Sequence, residues 1–331
     1  MRKYFWAILG CIALVATACG DDDAADPPAA ELSVGFVVPS SINDQAFSQV
    51  GHIGFVAGIE QTGASEAGIV QNVAPGDAAE AMANLANEGA TLVIALGGQF
   101  GQAGIEVAPR FPDTHFVVIN GFATGPNLSS WSLSEGEVAY LGGILVASTL
   151  DDVHVLAKIS GLEIPPLQLS AAGFNAGARS IIELDEFIAT FTGDQNDAAL
   201  AFEATVAAFG AGADVVMTGL NNALSGMEQA AAETGGLLVS DIIDKCDDPD
   251  VGDSYYAATS ADVIFAVTAV ITGVADGSLE PGFVRQNLEE PDGFVVRLCD
   301  GEIPEDVQTL IDEARAGLVD GSITIDITAL N

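Results

Sequence analysis

From residue 32 onward, short runs rich in β-branched side chains alternate with longer segments of helical period, the pattern of successive parallel βαβ units. Strands are predicted at 32–38, 68–73, 91–96, 115–119, 153–159, 186–191, 214–218 and 237–241. Most of these runs are apolar throughout, as strands covered by helices on both faces must be. Asp77 with Glu80, and Ser134 with Glu137, stand at capping-box spacing ahead of apolar helical stripes. A further helix follows Asn196, with Phe202, Val206 and Phe209 on one stripe and Gly210 and Gly212 as its stop. Towards the end, 260–271 and 305–319 read as helices and 293–298 as a hairpin strand.

Four βα units before residue 150 are followed by about four more, so the chain is predicted to be α/β with two similar lobes, each an open, doubly wound, mostly parallel sheet. The expected division is 31–148 for lobe 1, with part of 258–285, and 149–257 for lobe 2, with part of 286–331. Crossings near 148, 258 and 285 follow from it. A solute would sit between the lobes, where the strand C-termini face each other.

The ends and the composition narrow the setting. Arg2 and Lys3, a short apolar run and the small residues before Cys19 make 1–18 a signal peptide, too short to span a ~30 Å hydrocarbon core. Cys19 stands where a bacterial lipobox carries its acylated cysteine, ordinary cleavage being the alternative, and 19–30 is polar enough to serve as a flexible tether. The expected location is therefore the extracytoplasmic face, held by lipid. The net charge of −38, from 47 acidic and 9 basic residues, argues against nucleic acid and against binding to anionic headgroups through the protein surface. Cys246 and Cys299 remain after processing and read either as a disulfide or as two buried thiols. His52, His115 and His154 are scattered, and no metal-ligand spacing occurs, so neither metal nor cofactor is expected. Nucleophile-elbow, Walker A and H-E-x-x-H motifs are all absent.

Polar and aromatic residues cluster instead at the predicted strand ends. Asn43, Asp44 and Phe47 follow the first strand; Gly98, Gln99 and Phe100 the third; Asn120 the fourth; Asn221 and Asn222 the seventh; and Asp241 ends the eighth. Each has an alternative reading. Asn and Asp also cap helices and start turns, Phe47 also suits the first core position of a helix, and the glycines 97, 98, 101 and 104 serve equally as a tight turn or as a helix start whose N–H groups bind a ligand.

Six blocks in order and spacing then carry a resemblance: Asn43, Asp44 and Phe47; LVIALGGQFGQAGIEVAPRFPDTHFVVING from Leu92; NLSSW with EGEVAYLGG; GLEIPPLQLSAAGFNAGA from Gly161; GADVV from Gly212; and Asp241. Over most of its mature length the chain resembles the basic membrane protein family of ABC substrate-binding lipoproteins, of the purine-nucleoside receptor type. The resemblance implies a periplasmic-binding-protein-like fold of type I that closes on a nucleoside and delivers it to an ABC permease. By position it puts Asp44 and Phe47 on the base side and Asp241 on the ribose side. Three positions depart from the family pattern: Asn120 replaces an acidic residue, Leu220, Asn221 and Asn222 replace a glycine-rich turn, and Asp262 stands near a missing lysine. A sensory receptor working with a kinase or chemoreceptor is the alternative of another class. A nucleoside-processing enzyme ranks third.

Overall fold

A computed structural model describes residues 31–286, 288–289 and 293–330; the signal peptide, Cys19 and the tether lie outside the described residues. The first half gives β1 (Ser33–Val37), α1 (Phe47–Thr62), β2 (Ser65–Val70), α2 (Ala78–Asn87), β3 (Leu92–Leu96), α3 (Gly101–Val107), β4 (His115–Ile119) and β5 (Leu128–Ser132). The sequence pattern missed β5, because its LSSWS run has no apolar alternation, yet Leu128 to Trp131 are buried. After α4 (Glu135–Thr149) come β6 (Val155–Ser160), α5 (Pro165–Arg179), β7 (Glu186–Phe191), α6 (Ala198–Gly210), β8 (Val215–Met217), α7 (Leu224–Thr234), β9 (Leu237–Ser240) and β10 (Tyr255–Ala261). The chain ends with α8 (Val263–Asp276), β11 (Phe283–Arg285), β12 (Phe294–Leu298) and α9 (Glu305–Asp320).

Among the described residues the strands form two six-stranded sheets, β11-β5-β4-β3-β1-β2 and β12-β10-β9-β8-β6-β7. Every neighbouring pair in them is parallel except β10 with β12. The same order thus occurs twice. Each sheet reverses direction of growth once, between β1 and β3 and between β6 and β8, and such a switch point leaves a crevice beyond the strand C-termini.

Helix α4 departs from the expected lobe boundary at 148. It packs on α5, α9, β10 and β12, so the chain crosses to the second sheet ahead of Glu135. Close approach between α4 and α5 fixes this: a Cβ on Gly173 would lie 1.9 Å from the Gly136 carbonyl oxygen, and one on Gly177 2.0 Å from that of Tyr140. Only glycine permits such backbone contact. Nearly all of α4 is buried, which suits its apolar character all round. Helix α8 goes the other way and packs on α1, and β11 joins the first sheet while β12 joins the second.

The crossings meet at one buried side chain, Gln286. Its backbone carbonyl accepts from the Ser134 hydroxyl at 2.8 Å, its side-chain amide donates to the Asp262 carbonyl at 3.3 Å, and its Oε1 accepts from the Trp131 indole at 3.0 Å. Ser134 is therefore not a side-chain cap for α4, as its spacing suggested, and neither is Asp77 for α2. Ser134 adopts a left-handed conformation with φ 55° and spends its hydroxyl on the junction instead. Two further expectations shift. Residues 260 and 261 complete β10 by pairing with β12, so the helix starts at Val263 under the Asp262 carboxylate, which accepts from the Phe265 N–H at 2.9 Å. On α6 the buried face is Ala201, Thr205 and Ala208, not the Phe202, Val206, Phe209 stripe, because Gly226 of α7 packs against its backbone and leaves room only for small side chains. Cys246 and Cys299 are joined at an S–S distance of 1.98 Å, tying the segment after β9 to the end of β12.

Candidate functional site

The two switch points face each other. Between them Phe47, Gly97, Gly98, Gln99 and Asn120 of the first lobe meet Glu135, Ile164, Leu167, Gln195, Asn221 and Ile242 of the second around a cavity of about 30 Å³. A second space of about 340 Å³ shares Gln99 and Gln195 and adds Asn72, Asp194, Asn196 and Asn222. A third, about 490 Å³, lies between Asn43, Gln45 and Gln49 on one side and Ile243, Lys245 and Asp248 on the other. The central cavity has room for water but lies far below the ~300 Å³ at which small-molecule pockets begin, so admitting a solute there requires the lobes to part. A groove of about 510 Å³ beside β11 lies away from the strand ends and carries one titratable side chain, Glu280.

On the first wall, the turn after β1 presents Phe47 as the first residue of α1, only 7% exposed and part of the core cluster. Asp44 braces that turn. One carboxylate oxygen accepts from the N–H groups of Ala46 and Gln49 at 2.9 and 3.0 Å, and the other from the Ser48 N–H at 3.2 Å and from the Ser40 hydroxyl. A carboxylate has about four lone-pair sites, so Asp44 is saturated by its own segment. Asn120 ends β4 in the left-handed region with φ 60°, a conformation asparagine tolerates better than most residues. Its side-chain amide crosses to the other wall and donates to Glu135 Oε1 at 2.8 Å. Gly98 and Gln99 line the cavity, but Phe100 is fully buried in the core behind the sheet, so its expected place in the site is corrected. Asn43 is exposed on the outer space.

The second wall holds charge. Lys158, 1% exposed in β6, contacts the Asp241 carboxylate and donates to the Thr218 carbonyl at 2.8 Å. Asp241, 4% exposed, also accepts from the Ser170 hydroxyl at 3.1 Å. Glu135 opens α4 beside this pair and is 8% exposed. Burial above all, and then the Asp241 carboxylate, push its carboxyl up to about 7, against the Lys158 ammonium and the Asn120 hydrogen bond. Its Oε2 has no hydrogen-bond partner, nor have Gln195 Oε1, Ser160 Oγ and Ser240 Oγ, which stand near the C-terminal ends of β7, β6 and β9. Buried polar atoms are rarely left so, and the two on cavity-lining residues, Glu135 Oε2 and Gln195 Oε1, can serve a polar guest.

Lys158, Glu135 and Gln195 were not singled out from the sequence. A lone lysine inside an otherwise apolar strand was the available signal for Lys158, since such a charge is buried only with a partner. Glu135 was hidden by its neighbours, whose spacing suggested a helix cap. Among the described residues no three His, Cys, Asp or Glu side chains group as metal ligands, and no helix is long and apolar enough to cross a membrane.

The family model for Bmp, described as ABC transporter substrate-binding protein PnrA-like, matches residues 31–270. Over 257 residues the chain is 23% identical to the ABC transporter nucleoside-binding protein BmpA of Lactococcus lactis subsp. cremoris, 72% of each chain being covered. It is 26% identical over 117 residues to a purine-binding protein of Brucella abortus, covering 35% of this chain and 33% of that one. Among solved structures, an ABC solute-binding protein of Aeropyrum pernix K1 superposes with a TM-score of 0.75 at 19% identity, over 88% of this chain and 92% of that one. A 5-methylthioribose-binding protein of Thermotoga lettingae gives 0.62 at 11%, over 85% and 99%. These two likenesses concern the fold.

Proposed function

This chain belongs to the Bmp family of PnrA-like ABC transporter substrate-binding proteins, and from that membership we propose that its cleft captures a purine nucleoside for import. Solute binding for an ABC importer is the family's role, with a permease as the partner. The nucleoside reading draws on the two sequence relatives, named for nucleoside and purine binding. The observation that carries it is the pair of unpartnered buried oxygens, Glu135 Oε2 and Gln195 Oε1, on residues that line the cavity together with Phe47. A flat heterocycle with a hydroxylated sugar matches that pair, stacking on the aromatic ring while its polar edge supplies partners.

In this reading Phe47, Gly98, Gln99, Asn120, Asn221 and Asn222 meet the solute, Asp241 holds Lys158 in place at the wall, and Asp44 positions Phe47. Cys19 is acylated and tethers the mature protein to the outer face of the membrane. A thermal-shift screen of nucleosides, free bases and sugars tests the ligand, with inosine or adenosine expected to raise the melting temperature. A shift with sugars alone would overturn the nucleoside while leaving the transport role. Cys19→Ser is expected to move the protein from the membrane to the soluble fraction, and unchanged retention would remove the anchor.

A further inference from the structure

We propose that Glu135 is a specificity-determining residue that donates a hydrogen bond from Oε2 to an acceptor atom of the bound solute, so that capture is coupled to its protonation. This role rests on the cleft reading above and adds the chemistry of one contact. The two carboxyl oxygens are not equivalent. Oε1 already accepts from the Asn120 amide at 2.8 Å, whereas Oε2 is buried at the cavity with no partner. A protonated carboxyl keeps an acceptor oxygen and presents one O–H donor, and here the free oxygen is the one left to carry the proton.

The surroundings favour that form. The charged groups that act on Glu135 are Asp241 at the end of β9, which opposes ionisation, and Lys158 of β6, which favours it but is itself engaged by Asp241 and the Thr218 carbonyl. From α5 come Leu167 and Ser170, from α1 Phe47 and from β4 Asn120, none of them titratable in this range. On α4 itself, Glu137 points to Arg285 at the junction. Burial between the closed walls raises the carboxyl to about 7, and a neutral solute held there brings no cation that would lower it. A ring carbonyl or unprotonated ring nitrogen is the partner such a donor selects.

The test is calorimetry with inosine, which offers a ring carbonyl and ring nitrogens as acceptors. If only the acid form binds, the apparent affinity falls with the protonated fraction, about tenfold between pH ~6 and ~8, with proton uptake visible as a buffer-dependent heat. Glu135→Gln keeps a donor of the same shape, so it is expected to bind inosine with no such slope and no proton uptake. Phe47→Leu serves as the control for the cleft. If Phe47→Leu weakens binding but the parent shows no slope, shows the opposite slope, or shares its slope with Glu135→Gln, the assignment to Glu135 is overturned and the cleft reading stands. If inosine does not bind, or binds Phe47→Leu as tightly as the parent, the cleft reading falls and the role of Glu135 with it.

Discussion

The two walls of the cleft are built on the same strand order, yet they keep charge in opposite ways. On the first wall, the carboxylate of Asp44 is half-buried and saturated by the backbone of its own turn, and the groups facing the cavity are Phe47, glycines and amides. The second wall buries Lys158, Asp241 and Glu135 together and leaves acceptor atoms unpartnered. Topology therefore locates the crevice on both sides, while the side chains beyond the strand ends decide which wall presents an aromatic ring and amides and which buries charge. Asp44 and Asp241 illustrate this, since both follow a strand and look alike in sequence. One stabilises a turn, the other a buried ammonium.

The largest effect is expected from removing that ammonium. Lys158→Met leaves Asp241 buried without its cation, which costs about 3–5 kcal/mol, and chemical denaturation should show it as a lowered midpoint. Adding Asp241→Asn should recover much of the loss, because the uncompensated charge is then gone. A loss no greater than that of a surface lysine would break the contrast between the walls.

Next comes the pH dependence of stability. Glu135 binds its proton more tightly in the folded chain, at about 7, than at its ordinary value of 4.5. The stabilisation is therefore fully present below about 4.5 and fades as pH rises to about 7. Its size is on the order of 3 kcal/mol, since each tenfold gain in proton affinity is worth ~1.4 kcal/mol. Glu135→Gln should flatten that part of the pH–stability curve. Identical curves for parent and variant would show that the carboxyl titrates normally.

On the first wall the corresponding substitution acts on binding. Phe47→Leu retains apolar volume in the core and removes the aromatic face, so a stacked base should lose about 1–3 kcal/mol, roughly 5- to 150-fold in Kd. Truncation to alanine would confuse the measurement, because Phe47 is also a core residue. Asp44→Ala is the smallest effect, about 1 kcal/mol of stability from the lost turn and helix-start bonds. Inosine affinity should change much less than with Phe47→Leu. A larger affinity loss for Asp44→Ala would return its carboxylate to the ligand and erase the difference between the walls.

The sequence by itself determined the two-lobed α/β class, since continuous apolar strands alternating with helical segments leave little else to form, and it pointed to the strand ends as the place for polar groups. It did not show β5, whose serines break the pattern, or the side of the hinge on which α4 belongs. That choice depends on glycines of α4 and α5 meeting across a contact that no local period records. Gln286 joins residues more than 150 positions apart, and Lys158 finds Asp241 across 83. Local patterns carry the propensity of each segment, but whether a polar side chain braces its own turn, pairs in the core or faces a solute depends on what the folded chain brings beside it. Only the tertiary structure could therefore separate Asp44 from Asp241, move Phe100 into the core, and bring Glu135 to the cavity.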